Sequence, residues 1–349
     1  VDFAPPHLKH MIHPHWNNYP PVNPMWHYLL GVIYCFIGTL SFMGNGTVIY
    51  LWMKVKKLRT PSNLLITNLA VLDFLMLLTN FPFFAYNCFM GGQWMFSAFY
   101  CEIYALCGFI TGLGAIWSLV FITYDRYNVI VHGVSGKPLT FGKAGAMVLF
   151  IWINGTVTSL APMLGWGAYT PEGILDSCSF DYLSKDWNTR SYGIFIFLWS
   201  FVFPLTVIIY AYMFIVKTVV AHESAMRAQA KKMNVSSLKA GDDGGESAEM
   251  RVAKVAVFNV TLWIICWTPY CAVTVQGLFF DQSVITPLLS MLPALLAKSC
   301  STYNPMVYAL GHPRYRAAMM EHVPFCCVIE QDAKSGGDSK STATEGPEK

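Results

Sequence analysis

Five stretches of this 349-residue chain, 28–53, 103–124, 144–170, 191–216 and 255–280, contain no Asp, Glu, Lys or Arg at all. At about 1.5 Å per residue, each is long enough to cross about 30 Å of hydrocarbon as a helix. Lipid offers the backbone no hydrogen-bond partners, so runs of this length can only be helices that satisfy their own amides. Two further stretches, 63–86 and 282–311, are equally apolar but hold one ionisable residue each, Asp73 and Lys298. The expected fold is therefore all-α, a bundle of seven transmembrane helices, with a short amphipathic cytoplasmic helix after the seventh.

Composition agrees, with 54% hydrophobic, 15% aromatic and only 12% charged residues. The net charge of +3 comes without a basic stripe or a nucleic-acid motif, which excludes a nucleic-acid partner. If the loop carrying Lys54, Lys56, Lys57 and Arg59 is cytoplasmic, that side collects every Lys and Arg except Lys9, Lys185, Arg190 and Lys298. That bias places the amino terminus outside and the carboxyl terminus inside. No cleavable leader is recognisable ahead of the first run, which is expected to act as its own insertion signal. Four segments follow: an extracellular 1–26, the bundle 27–311, an amphipathic helix 312–327 and a disordered tail 328–349. Residues 16–24, rich in Pro and Asn, are expected to form an irregular outer segment.

Most of the ten cysteines lie inside spans, where a thiol acts as a small apolar filler. Cys101 begins the third span on its outer side and Cys178 lies in the outer loop between spans four and five. We read them as a bridge pinning that loop across the bundle mouth, the alternative being two unpaired thiols. The same loop carries Glu172, Asp176 and Asp181, which spacing alone would leave solvated.

Lys298 is the costly residue. Either end of its span is roughly 20 Å away, against about 6 Å of side-chain reach. An ammonium at that depth costs at least about 2.5 to 3.5 kcal/mol. Three roles offset such a cost: a structural ion pair with Asp73, a relay in a transporter, or an amine that condenses with an aldehyde as a Schiff base. The surroundings favour the third. Tyr104, Gly108, Gly112 and Ala115 fall on one stripe of the third span, either a packing seam or the wall of a slot. Trp267 and Tyr270 share a face of the sixth span, and Phe201 and Phe203 precede Pro204 in the fifth. Small residues opposite large rings leave room for a long, flat apolar ligand.

The motifs "TYDRY" (Asp125, Arg126, Tyr127), "CWTPY" (266–270), "NPMVY" (Asn304, Pro305, Tyr308), "GN" (Gly44, Asn45) and "NLAVLD" (ending at Asp73) stand in order on separate spans. Together with Cys101 and Cys178 they resemble the rhodopsin-type G-protein-coupled receptors over roughly residues 27–327. A lysine before the Asn-Pro of the seventh span resembles the retinal attachment point of opsins, in particular the Gq-coupled visual opsins of arthropods such as jumping spiders. The resemblance implies a receptor, not an enzyme: Lys298 carries 11-cis-retinal as a protonated Schiff base, and light converts it to all-trans. Tyr104, Gly108, Gly112, Phe201, Trp267 and Tyr270 then line the pocket.

Where vertebrate visual opsins place a glutamate counterion, this chain has Tyr104. Glu172 matches the counterion position of invertebrate visual opsins, with Ser177 as a hydrogen-bond relay and Asp176 as the fallback anion. Such a remote anion implies a photoproduct that keeps its chromophore, hence a bistable pigment.

The same resemblance makes Asp125, Arg126 and Tyr127 the activation latch and Asn304, Pro305, Tyr308, Asp73 and Asn45 a rearranging cluster with a sodium site near Asp73. It makes His312, Pro313 and Arg314 contacts for a Gq-type G protein, with arrestin and a receptor kinase as further partners. Pro305 cannot donate to the Ser301 carbonyl, which must find another partner. Residues 217–235 lack Gly and Pro, so the fifth helix is expected to project well past the membrane. Cys326 and Cys327 end the surface helix as palmitoylation candidates. The expected location is the photoreceptor plasma membrane. The rivals are a receptor for a diffusible ligand, a retinal photoisomerase of opsin fold, and a microbial-type pump.

Overall fold

The computed structural model describes residues 6–232 and 248–323. Cys326, Cys327 and the tail, including Ser339, Ser341, Thr342 and Thr344, lie outside the described residues. Helices α1 (Pro24–Lys54), α2 (Pro61–Met90), α3 (Ala98–Val131) and α4 (Phe141–Leu160) supply the first four crossings. The fifth is α5 (Trp187–Phe197), a single π turn at Leu198–Val202, and α6 (Phe203–Lys232). Then come α7 (Ala248–Phe279), α8 (Pro287–Gly311) and the short α9 (Pro313–His322). Among the described residues six helices are long and apolar enough to cross a membrane. The seventh crossing, α8, is 25 residues long and is diluted by Ser290, Lys298, Ser299, Ser301, Thr302 and Asn304.

Helix starts follow from local chemistry. Asn23 accepts from the Met25 amide at 2.9 Å and Thr60 from the Asn63 amide at 3.2 Å, each followed by proline in the first turn. Thr140 and Asp186 cap α4 and α5 in the same way. At the outer end of α7, Lys185 Nζ donates to the Gly277 carbonyl at 2.6 Å and Arg190 to that of Leu278 at 2.9 Å. Cations on the last carbonyls of a helix also suit its dipole.

Helix α3 runs through the centre, largely buried, and meets α2, α4, α6 and α7. Two apolar clusters, one outer and one inner, meet at Trp267, which packs against both. On the inner side α6 continues to Lys232.

Two features close the outer mouth. An antiparallel hairpin, β1 (Tyr169–Glu172) and β2 (Ser177–Phe180), pairs Tyr169 with Phe180 and Glu172 with Ser177. Its turn needs Gly173 at φ 59°, where an added Cβ would stand 2.9 Å from the Pro287 carbonyl at the start of α8. Above it, the amino-terminal segment is more ordered than its Pro and Asn content predicts. Residues Pro14–Asn18 form a 3-10 turn, Leu8 and Trp16 are buried, and Tyr19 donates to the Ser283 carbonyl at 2.8 Å. Trp16 and Tyr19 gain apolar contacts that composition alone conceals.

Candidate functional site: a lysine cavity beneath a pinned hairpin

Cys178 of β2 is bonded to Cys101 at the start of α3, so the hairpin is fixed over the bundle. Beneath it lies a cavity of about 940 Å³, including the part open to solvent. Helix α3 lines it with Tyr104, Gly108 and Gly112, the fifth span with Phe201, α7 with Trp267 and Tyr270, the hairpin with Glu172, and α8 with Lys298. The glycines make space: a Cβ on Gly112 would come within 3.2 Å of the Trp267 ring, and one on Gly108 within 3.2 Å of Asn80 Oδ1. Phe203, by contrast, faces outward and stacks on Trp199. Two residues apart on a helix, Phe201 and Phe203 point to opposite sides, so only Phe201 reaches the pocket.

Lys298 Nζ donates to the Tyr104 hydroxyl at 2.6 Å. It makes no ion pair with Asp73, whose Oδ2 accepts from Asn304 Nδ2 at 2.7 Å, so the structural ion pair weighed for Lys298 is not formed. Glu172 lines the same cavity and is buried, but it too lies beyond ion-pair distance of Lys298. Its Oε2 accepts from Tyr182 at 3.3 Å, and Tyr182 shares a 2.7 Å hydrogen bond with Ser290. Burial pushes the Glu172 carboxyl up to about 7, opposed by the Lys298 charge and by the Tyr182 hydrogen bond. A cation held on Lys298 thus keeps an anion available from the lid.

The raised Glu172 value predicts a pH effect on the ligand-free protein. Unfolded, the carboxyl releases its proton near its ordinary 4.5, whereas folded it keeps it to about 7. The folded state then binds the extra proton, so this group's contribution is complete below pH 4.5 and declines as pH rises to about 7. Thermal unfolding across that range should show the decline, and Glu172→Gln should remove it.

These positions single out one group of proteins. Residues 44–308 match the family described as 7 transmembrane receptor (rhodopsin family). The chain belongs to that family, as an opsin. A compound eye opsin of Hemigrapsus sanguineus is 57% identical over 344 residues, covering 99% of this chain and 91% of its own. The lateral eye opsin of Limulus polyphemus is 45% identical over 345 residues, with coverage of 99% and 91%. The crystal structure of squid rhodopsin matches with a TM-score of 0.83 at 37% identity, covering 92% of this chain and 91% of that one. The opsin is thus a multi-pass membrane receptor of the visual type rather than an enzyme, and the arthropod resemblance is shown.

Three of the expected site residues sit elsewhere. Ser177 turns its hydroxyl to Met291 Sδ, 3.5 Å away, and is not in the cavity wall; Ser179 is, sharing a 2.5 Å hydrogen bond with Tyr270. Asp176, the fallback anion, is not in the cavity wall, and its Oδ2 is bonded to His27 Nδ1 of α1 at 2.6 Å and accepts from Cys88 at 3.3 Å. His312, expected to face a G protein, is buried edge-on against Tyr315, and burial with the nearby Arg126 and Arg314 charges pushes it down to about 4. Arg314 is exposed.

Asn80, Ser179, Tyr182 and Ser290 escaped notice in the sequence. Tyr182 and Ser290 carry no local signature, since each acquires its role only from the other and from Glu172.

On the inner side Arg126 pairs with its neighbour Asp125. Asn45 Nδ2 donates to the Ser301 carbonyl at 2.9 Å, the acceptor that Pro305 leaves without its helical donor. Asn45→Ala should therefore leave that buried carbonyl with only the long 3.4 Å bond from Ser41 Oγ and lower stability by about 1 kcal/mol, read as a fall in the thermal unfolding midpoint. Tyr308 lies on α8. Among the described residues no three His, Cys, Asp or Glu side chains group as a metal site, so sodium at Asp73 would rely on amide and hydroxyl oxygens.

Proposed function

We propose that the opsin holds retinal covalently at Lys298 Nζ and signals light to a Gq-type G protein. The observation carrying this is a lysine amine opening into an apolar, ring-lined cavity, bonded only to Tyr104 and paired with no carboxylate. The residues present fit that group: an apolar cavity bounded by Gly108, Gly112, Phe201, Trp267 and Tyr270, an amine in its wall, and an acid in its lid. When bound, retinal supplies the photochemistry, changing from 11-cis to all-trans on absorbing light. The protein supplies orientation and electrostatics. Tyr104 accepts a hydrogen bond at the attachment nitrogen, and Glu172, steadied by Tyr182 and Ser290, balances the positive charge from the lid.

The remote placement of Glu172 supports a bistable pigment, since an anion out of contact is a poor acceptor for the proton at the attachment nitrogen. Gq coupling is supported by the α6 extension to Lys232 and by the paired Asp125 and Arg126 at the inner end of α3. Light then shifts a pre-existing helix equilibrium rather than creating a new state. Arrestin and a receptor kinase complete the proposed partners. The location is the photoreceptor plasma membrane, amino terminus outside, in keeping with the Lys and Arg bias.

Adding 11-cis-retinal in darkness and recording spectra before and after two colours of light tests the proposal. A visible pigment that is driven back and forth supports it. A pigment that releases its product after one exposure points instead to a photoisomerase, and no pigment at all to a receptor for a diffusible ligand.

A further inference from the structure

Far from the retinal cavity, a groove of about 1250 Å³, counted to its open face, runs between the inner ends of α3 and α4. Its two halves differ in chemistry. One wall is apolar, formed by Phe121, Met147 and Phe150, with Phe150 packed edge-on against Phe121 and 41% exposed on the flank of the bundle. The rim toward the connecting loop carries Lys137 and Lys143, both exposed. Neither lysine forms an ion pair among the described residues. The acid lining the groove, Asp125, is already paired with Arg126.

Two details shape the rim further. Asn128 Nδ2 donates to the Lys137 carbonyl at 2.6 Å and fixes the loop against α3. Lys143 stands in the first turn of α4, a 20-residue helix whose positive dipole end opens here. A Cβ on Gly142 or Gly145 would meet nothing within 4 Å among the described residues, so α4 is open at those two positions.

We propose that this groove binds an anionic diacyl phospholipid, headgroup at Lys137 and Lys143 and one acyl chain along Phe121, Met147 and Phe150. Charge complementarity decides the occupant. A neutral lipid would leave both cations unmatched, whereas a free anion would leave the ring-lined wall empty. The site rests on the orientation proposed above only for which leaflet supplies the lipid; basic residues at the cytoplasmic interface attract anionic headgroups there.

The test uses the whole protein in neutral detergent, with dioctanoyl phosphatidylinositol 4,5-bisphosphate as probe and native mass spectrometry as readout. One retained lipid is expected. The double variant Lys137→Ala/Lys143→Ala should weaken its binding about thirty-fold, while Lys137→Arg/Lys143→Arg should retain it. Both positions are exposed, and an unchanged thermal midpoint confirms that each variant is folded. Undiminished binding by the alanine variant overturns the site. Equal affinity for inositol 1,4,5-trisphosphate, which lacks acyl chains, overturns the lipid as occupant.

Discussion

Lys298→Ala should form no pigment: mixed with 11-cis-retinal in darkness, the variant develops no visible band and carries no retinyl mass after borohydride reduction. The expected loss is complete, because among the residues lining the cavity Lys298 is the sole primary amine and no neighbour can supply another. The variant should still fold. Alanine at this depth removes an ammonium whose presence costs at least about 2.5 kcal/mol and leaves the Tyr104 hydroxyl without its partner, two effects of opposite sign. A thermal midpoint equal to or above that of the parent, together with no bound chromophore, would separate a lost attachment point from a lost fold. A visible pigment in the variant would end the assignment of Lys298 as the attachment point.

Glu172→Gln should shift the pigment from visible to ultraviolet absorption near neutral pH. A glutamine keeps the size of the side chain and can still meet the Tyr182 hydroxyl, so the lid need not move. It cannot balance a positive charge. Removing one partner of a buried opposite-charge pair strands the other, and the stranded group then sheds its proton. Asp176→Asn is the matched control. That carboxylate lies outside the cavity wall, with Oδ2 on His27 and Cys88, so the variant should keep its visible band even if the hairpin is held less firmly. An unchanged visible spectrum in Glu172→Gln between pH 5 and 8 would exclude Glu172 as the counterion.

Much of this was legible before any coordinates. Charge-free runs show where the chain must cross lipid, because the penalty for a buried charge is large and local. For the same reason Lys298 stands out, as does Pro305, whose missing donor leaves a carbonyl that Asn45 bonds. Contacts between distant segments were hidden. Asp176 and His27 lie 149 residues apart, and an acid in an outer loop reads as solvated until a histidine from another helix meets it. Glu172, Asp176 and Asp181 are all buried, the last by accepting from the Leu183 and Ser184 amides. His312 failed the opposite way, since a polar residue between two helices suggests exposure, yet α9 folds back and Tyr315 covers it. The π turn at Leu198–Val202 had no sequence signal beyond the nearby Pro204.

The hairpin over the cavity also governs exchange with the outside. It is tied to α3 through Cys178, to α1 and α2 through Asp176, and by its turn to α8, while the amino-terminal segment latches onto the loop ahead of α8. No single loop movement can lift such a hatch. Traffic of a greasy occupant through the aqueous face would require several anchors to let go at once.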